Sequence, residues 1–163
     1  MMRLTALLAA LALPAAAQDD GAFVEFRALK PEVALRMAEA ALEHCREQGY
    51  QAGVTVVDRS GVPQVFLRAR YAGPHVFETS RRKAWTAASF RTPTSELSDA
   101  TQAGEDAFGI RYLTEALPLG GGLPVDAGGS LVAAIGVSGA PSPELDDECA
   151  QAGIDAVAFE IAF

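Results

Sequence analysis

Few side chains in this sequence could act as nucleophiles or as metal ligands. The 163 residues include two histidines, His44 and His75, and two cysteines, Cys45 and Cys149. Neither pair has the spacing of a zinc site, which argues against a structural zinc ion. The run GVSGA at 136–140 differs from the Gly-x-Ser-x-Gly elbow of serine hydrolases in its last residue, and no histidine follows it. These residues therefore exclude a serine hydrolase.

Glycine-rich segments at 120–122 and 136–139 are the next places where chemistry could occur, because such segments can hold phosphate. The second segment leads to a predicted helix whose first turns carry four carboxylates, which would repel a phosphate and instead complement the helix dipole. These are Glu144, Asp146, Asp147 and Glu148. Adjacent carboxylates point apart on a helix, so Asp146 and Asp147 are predicted to lie on a solvated face. The first segment lacks the Gly-Lys-Ser/Thr of a P-loop, and turn geometry explains both segments better than a phosphate site does.

Three helices are predicted ahead of the glycine-rich segments. Pro31 begins the first and Gly49 ends it, and its small apolar residues recur at helical spacing. The second spans 75–90 and has one face of small residues that can lie close to a sheet. It stops there because Pro93 disfavours helical angles in the residue before it. A shorter third helix is expected near Leu97.

Four strand-like runs form two predicted hairpins. The runs are 53–58, 63–68, 123–125 and 131–135. The first two flank an Arg-Ser-Gly turn, and the last two flank a glycine turn. The run 131–135 is apolar at every position, so we expect a central strand that leaves the sheet at Gly136. Ser142 and Pro143 then start a last helix, with the Ser142 hydroxyl as its cap. Hairpins bracketed by helices indicate an α+β fold with an antiparallel sheet.

The first residues have the pattern of a secretion signal. A short positive region is followed by an apolar run at 4–14 and by an Ala-x-Ala pattern before Gln18. The apolar run is shorter than the roughly 20 residues that a transmembrane helix needs. The sequence therefore predicts a signal peptide over 1–17, a single domain over 18–163 with no membrane span, and a periplasmic or secreted protein.

Two segments carry a resemblance to a known family. The runs LPLGGGLPV, GSLVAAIGVSGA and DDECAQAGIDAV in the second half, and RRKAWTAASFRTPTSEL upstream, are similar to the GlcG/HbpS family, which is described as haem-binding or haem-degrading. The resemblance covers roughly 31–157 and extends to the C-terminal domain of PduO. Gly120 and Leu123 depart from the commoner LPLPGGVPI. The resemblance implies a profilin-like or PAS-like antiparallel sheet with the first and last helices on one face.

The family motifs also imply a set of ligand-binding positions. A pocket between the two motifs would be lined by Lys83, Thr86, Phe90, Arg91, Thr94, Gly121, Gly122 and Ser138. The alternative is that these positions maintain the fold, with small residues for helix–sheet contact and prolines and glycines for turns. The sequence leaves both interpretations open.

Haem is the ligand that the resemblance points to first. A haem site needs an axial donor, an apolar slot and cations for the propionates. His75 ranks first as a donor because a basic cluster at 81–83 follows it, and His44 ranks second. The alternative for each histidine is a surface or packing residue that binds no iron, and for either one taken alone this alternative is favoured. Tyr71, Tyr112 and Met37 rank lower as donors. The absence of Cys-x-x-Cys-His excludes covalent attachment, so binding would be non-covalent.

The resemblance also bears on the two cysteines. The implied fold sets the first and last helices side by side, and Cys45 and Cys149 each lie on an apolar stripe of one of these helices. Because an oxidising compartment favours pairing, a Cys45–Cys149 disulfide is predicted. The alternative is two free cysteines packed as small hydrophobic residues.

Three functions follow as hypotheses. The first is an exported small-ligand-binding protein, with haem as first candidate, that senses or scavenges its ligand. The second is an enzyme or accessory protein in small organic acid or aldehyde metabolism, and the third is an assembly subunit without pocket chemistry. No residue set indicates turnover, so binding is favoured over catalysis, and the resemblance implies a homo-oligomer. The net charge of −8 and the pI of about 4.7 argue against nucleic acid as a partner.

Overall fold

The described chain alternates helices with two β-hairpins. The computed structural model describes residues 21–162, so the predicted signal peptide at 1–17 lies outside the described residues. In chain order the elements are α1 (Pro31–Glu47), β1 (Gly53–Asp58), β2 (Pro63–Arg68), α2 (His75–Phe90), α3 (Thr94–Ala100), a 3₁₀ helix (Asp106–Tyr112), β3 (Gly122–Ala127), β4 (Ser130–Ser138) and α4 (Pro143–Ile161).

The strands form one antiparallel sheet in the order β2-β1-β4-β3. Both predicted hairpins are present, and β1 and β4 pair at the centre, which confirms the α+β class. The prediction that the chain leaves the sheet at Gly136 is wrong. β4 continues to Ser138, because Gly136 and Val137 still pair with Thr55 and Val54 of β1.

Helices cover both faces of this sheet. α1 and α4 pack against each other and against one face, while α2 packs on the other. The first and last helices therefore share a face, as the resemblance implied. At Gly136 the backbone of α2 comes so close that an added Cβ would lie 2.1 Å from the carbonyl oxygen of Ser80. Only glycine allows this approach between α2 and β4.

α1 and α4 are also joined covalently. A disulfide links Cys45 to Cys149, with 5.5 Å between their Cα atoms. Gly153 brings the helices together, since an added Cβ would lie 2.7 Å from the carbonyl oxygen of Met37. The sequence predicts that the apolar stripe of α4 comprises Leu145, Cys149, Ala152 and Ala156. This is partly wrong, because Gly153 is the residue buried against α1 and Ala156 is exposed. The buried residues of α4 are Asp146, Cys149, Ala150, Gly153 and Val157.

One local feature differs from the sequence predictions, and one region without a predicted element contains a short helix. Ser142 occupies the N-cap of α4, but its side chain makes no capping hydrogen bond. The region 104–114, for which the sequence has no clear pattern, contains the 3₁₀ helix. Within residues 21–162, no helix combines the length and the apolar character that a membrane crossing requires.

Candidate functional site

Five family-signature residues and their partners meet where α2, α3, α4 and the start of β3 converge. We call Lys83, Thr86, Thr94, Gly121, Gly122, Asp146 and Asp147 the signature cluster. The first three are nearly inaccessible to solvent. The fold thus brings together two motifs that lie more than twenty residues apart in the chain.

The centre of the signature cluster is a buried ion pair. The Lys83 Nζ atom donates to the Oδ2 atom of Asp146 over 2.7 Å and to the carbonyl oxygen of Val137 over 2.9 Å. The two charged side chains are 1% and 6% exposed. The prediction of a solvated face for Asp146 is therefore wrong. The sequence contains one signal of this burial, because Asp146 shares a helix face with Cys149, Ala150 and Gly153, at helical spacing.

Asp146 keeps a second partner besides the lysine. Its Oδ1 atom accepts a hydrogen bond from the backbone N–H of Ala140 over 2.9 Å. Burial raises the pKa of the Asp146 carboxyl, and the ammonium of Lys83 and this N–H oppose the rise. Both carboxylate oxygens are thus bonded within the protein, and the pair joins α2 to α4.

Gly121 fits this cluster only because it lacks a side chain. Its φ is 111°, and an added Cβ would lie 2.4 Å from the carbonyl oxygen of Val137 and 2.8 Å from Lys83 Nζ. Its N–H donates to Asp147, so the second carboxylate of the adjacent pair is also used within the fold. The glycine run therefore serves close packing at this position.

Two threonine hydroxyls complete the cluster. The Thr94 hydroxyl accepts from the N–H of Gly122 over 2.8 Å and donates to the carbonyl oxygen of Leu119 over 2.7 Å. The Thr86 hydroxyl accepts from the N–H of Leu117 over 2.8 Å. Both threonines hold the segment that enters β3 against α2 and α3. This supports the fold-maintenance interpretation for these positions, and their contact with a ligand stays a prediction.

The other predicted ligand residues lie apart from these bonds. Ser138 is buried at the end of β4, where its hydroxyl accepts from the hydroxyl of Thr79 over 2.7 Å. Phe90 is half-buried at the end of α2, and Arg91 follows it, exposed and with a φ of 53°. The sequence gives no sign of the contact between Thr79 and Ser138, because Thr79 lies outside the family motifs.

The basic cluster at 81–83 is engaged within the protein. The sequence predicts these three cations on the sides of α2 away from its small-residue face, and for Lys83 this is wrong because its side chain is buried. Arg81 binds the carboxylates of Glu78 and Glu115, and Arg82 donates to the carbonyl oxygens of Glu115 and Ala116. The hydrogen bond with Arg81 also lowers the pKa of Glu78. These cations therefore hold the segment at 115–116 against α2.

The two histidines occupy separate elements. His75 is exposed at the start of α2, and its ring lies over Gly73, where an added Cβ would be 2.7 Å from Nδ1. His44 is half-buried on α1. No group of three or more His, Cys, Asp or Glu side chains in the described chain is arranged to hold a metal ion. Ligation by His75 or His44 stays a prediction.

The cavities on the surface of the described chain include three of about 720, 660 and 520 Å³. Two of them, of about 720 and 660 Å³, flank the segment 24–33 and have no histidine or tyrosine in their walls. The third, of about 520 Å³, lies between α1 and the end of β2, and we call it the α1–β2 cleft. Its walls comprise Glu39, Leu42, Glu43, Arg46, Gln51, Leu67, Ala69, Arg70 and Tyr71. Neither histidine lines any of the three.

Both the sequence and the fold of this chain are similar to those of known proteins. A family model described as "Haem degrading protein HbpS-like" matches residues 29–155. The fold is similar to a crystal structure of a double mutant of Streptomyces reticuli HbpS, with a TM-score of 0.79 and 39% identity over 91% of this chain and 99% of that one. The crystal structure of a PduOC:heme complex is also similar, with a TM-score of 0.74 and 32% identity over 79% of this chain and 94% of that one.

A curated relative shows where this domain occurs in a longer protein. The corrinoid adenosyltransferase PduO of Salmonella typhimurium is 32% identical over 124 residues, which are 75% of this chain and 37% of PduO. The chain therefore spans little more than a third of the length of that relative. Because the family model covers most of the chain and the HbpS structure superposes on nearly all of it, the chain belongs to the HbpS-like family.

Proposed function

We propose that this protein binds haem non-covalently. The observation that carries the proposal is the similarity to the PduOC:heme complex, at 32% identity and with a TM-score of 0.74. The family description and the similarity to HbpS support the same ligand.

One of the three cavities is lined by residues of the types that a haem site needs. A haem site combines an apolar slot with an axial donor and with cations. The α1–β2 cleft has an apolar floor of Leu42 and Leu67, a phenol in Tyr71, and guanidinium groups in Arg46 and Arg70. Its volume of about 520 Å³ falls within the range of pockets for small ligands.

Titration of the purified mature protein with hemin tests the proposal. We expect a shifted Soret band that saturates near one haem per chain. A protein of similar acidity without this fold serves as the control for non-specific adsorption. A change in absorbance that stays linear in hemin and matches the control would contradict haem binding.

We also propose that the protein is exported, which the sequence pattern before Gln18 supports. Intact-mass analysis of the protein from its native host should then show a chain that begins at Gln18, within a residue or two. A full-length chain in the cytoplasm would contradict export. The disulfide of the folded domain agrees with an oxidising compartment.

A homo-oligomer is the third part of the proposal. The sheet ends in β2 and β3, each of which has one neighbouring strand in the described chain. Unpaired strand edges can pair with another copy. Sedimentation velocity on the apo and hemin-loaded protein should show a species larger than the monomer, and a single monomeric species in both would contradict it.

A further inference from the structure

We infer that the haem lies in the α1–β2 cleft, with the phenol oxygen of Tyr71 as its iron donor. This rests on the proposed function. Among the three cavities, the cleft is the one whose wall contains a side chain of a type that binds haem iron. Tyrosine is an established axial ligand of haem iron in proteins.

The backbone around Tyr71 is fixed while its side chain is free. The Tyr71 N–H donates to Oε1 of Gln51 over 3.2 Å, and Ala69 N–H donates to the carbonyl oxygen of Ala52 over 2.9 Å. Ala72 N–H closes the turn on the carbonyl oxygen of Ala69 over 3.1 Å. The Tyr71 residue is nevertheless 80% exposed. A donor on a fixed turn with an accessible side chain suits a ligand that enters from solvent.

The floor of the cleft suits one face of a porphyrin. Leu42 of α1 and Leu67 of β2 are half-buried and pack against the core, and Ala69 adds a small apolar surface beside them. A flat apolar ring system that covers these side chains removes them from water, which favours binding in proportion to the apolar surface covered. The cleft thus offers hydrophobic contact and an oxygen donor on adjacent walls.

The charges of the cleft divide into a paired and an unpaired set. Arg46 forms an ion pair with Glu43 along α1. Within residues 21–162, the side chains of Arg70 and Glu39 form no hydrogen bond or ion pair. Arg70 is therefore the cation available to a propionate, while the Glu39 carboxylate opposes a propionate placed near it.

Ligation of the iron by Tyr71 releases one proton. The phenol gives up its proton to solvent when its oxygen binds the ferric ion, and no electron is transferred. Sequence alone ranks His75 above Tyr71 as a donor, but His75 does not line the cleft. The two donors predict different spectra, so a substitution series can decide between them.

The test compares hemin binding and ferric spectra of wild type with those of Tyr71→Phe. We expect Tyr71→Phe to lose the phenolate charge-transfer band and to bind hemin at least about tenfold more weakly, by analogy with disturbed metal sites. Tyr71→His should restore tight binding with the spectrum of a histidine ligand. Tyr112→Phe is the matched control, because Tyr112 is 77% exposed and lies outside the cleft.

Two charge variants test the position of the propionates. Arg70→Gln should weaken hemin binding about two- to fivefold, and Glu39→Gln should strengthen it by a similar factor, as exposed charge pairs do. Equal affinities for wild type, Arg70→Gln and Glu39→Gln would overturn this placement.

The outcomes separate the inference from the proposed function. If wild type does not bind hemin, haem binding itself fails. If wild type binds and Tyr71→Phe keeps the wild-type spectrum and affinity, the inference is overturned while haem binding stands. A spectrum that changes in His75→Ala or His44→Ala, but not in Tyr71→Phe, would overturn it in favour of a histidine donor.

Discussion

Replacement of Lys83 by methionine tests the buried ion pair between α2 and α4. Lys83 Nζ donates to Asp146 over 2.7 Å and to the carbonyl oxygen of Val137 over 2.9 Å, and its side chain is 1% exposed. Methionine has a similar length and an apolar end, so Lys83→Met fills the space and removes the charge. The Asp146 carboxylate then remains buried with the N–H of Ala140 as its partner.

The cost of this change follows from the buried charge that is left behind. Removal of one partner from a buried pair costs about 3–5 kcal/mol, because the other ion stays desolvated. The free energy of unfolding of a domain is about 5–15 kcal/mol, so Lys83→Met should remove a large part of it. Protonation of Asp146 relieves the buried charge, and the cost should therefore shrink towards acidic pH.

Urea unfolding at pH 7, followed by circular dichroism, measures this cost. Arg36→Met is the matched control, because Arg36 and Glu160 form an ion pair whose side chains are 47% and 45% exposed. Such a pair contributes about 0.2–1 kcal/mol. In the double variant Lys83→Met/Asp146→Leu, we expect a smaller loss than the sum of the two single losses.

Two results would refute this reasoning. In the first, Lys83→Met would be no more destabilising than Arg36→Met at pH 7. In the second, the losses of Lys83→Met and Asp146→Leu would add without coupling in the double variant. Either result would mean that the ammonium and the carboxylate do not stabilise each other in the folded protein.

Three further predictions concern single positions. Ellman's reagent should find no thiol in the denatured, unreduced protein. Two titratable thiols would contradict the disulfide. The double variant Cys45→Ala/Cys149→Ala should lower the stability of the protein in thermal unfolding by up to about 4–5 kcal/mol, because the bridge spans 104 residues. Burial raises the pKa of Asp146, so the folded protein holds the Asp146 proton more tightly than the unfolded chain does. The stability that this proton contributes is full below the unfolded-state pKa and is lost as the pH rises through the folded-state pKa. Asp146→Asn should remove this part of the pH profile of urea midpoints, and an unchanged profile would contradict it. Gly136→Ala should lower the thermal midpoint, because the added Cβ would lie 2.6 Å from the backbone nitrogen of Ala84. Gly109→Ala is the control and should leave the midpoint unchanged, because its Cβ would meet nothing within 4 Å. Equal effects of the two substitutions would contradict the close approach of α2 to β4.

Local patterns were sufficient for most of the helices and hairpins. The predicted second helix agrees with α2, because the Gly-Pro loop before it and Pro93 after it limit the chain by local sterics. Both hairpins were predicted since their turns carry glycine at positions of positive φ, such as Gly61 and Gly128. These features depend on neighbours in the sequence, so one sequence reveals them.

The end of β4 could not be read in the same way. Gly136 and Val137 lie in a stretch that is typical of a loop, and the prediction ended the strand there. Pairing with β1 extends the strand to Ser138, and this partner lies about eighty residues away in the chain. Tertiary pairing therefore overrode the local preference.

The sequence by itself determined the α+β class, the family and the helical positions of Cys45 and Cys149, because periodicity and motifs are local properties. The tertiary structure decided which charges are buried, because it placed Lys83 against Asp146. It also formed the α1–β2 cleft by bringing Tyr71 to the same cavity as Leu42 of α1. Both arrangements join residues that are distant in the chain. The energy of a charged side chain depends on the partners and the water around it, and only the packed fold specifies both.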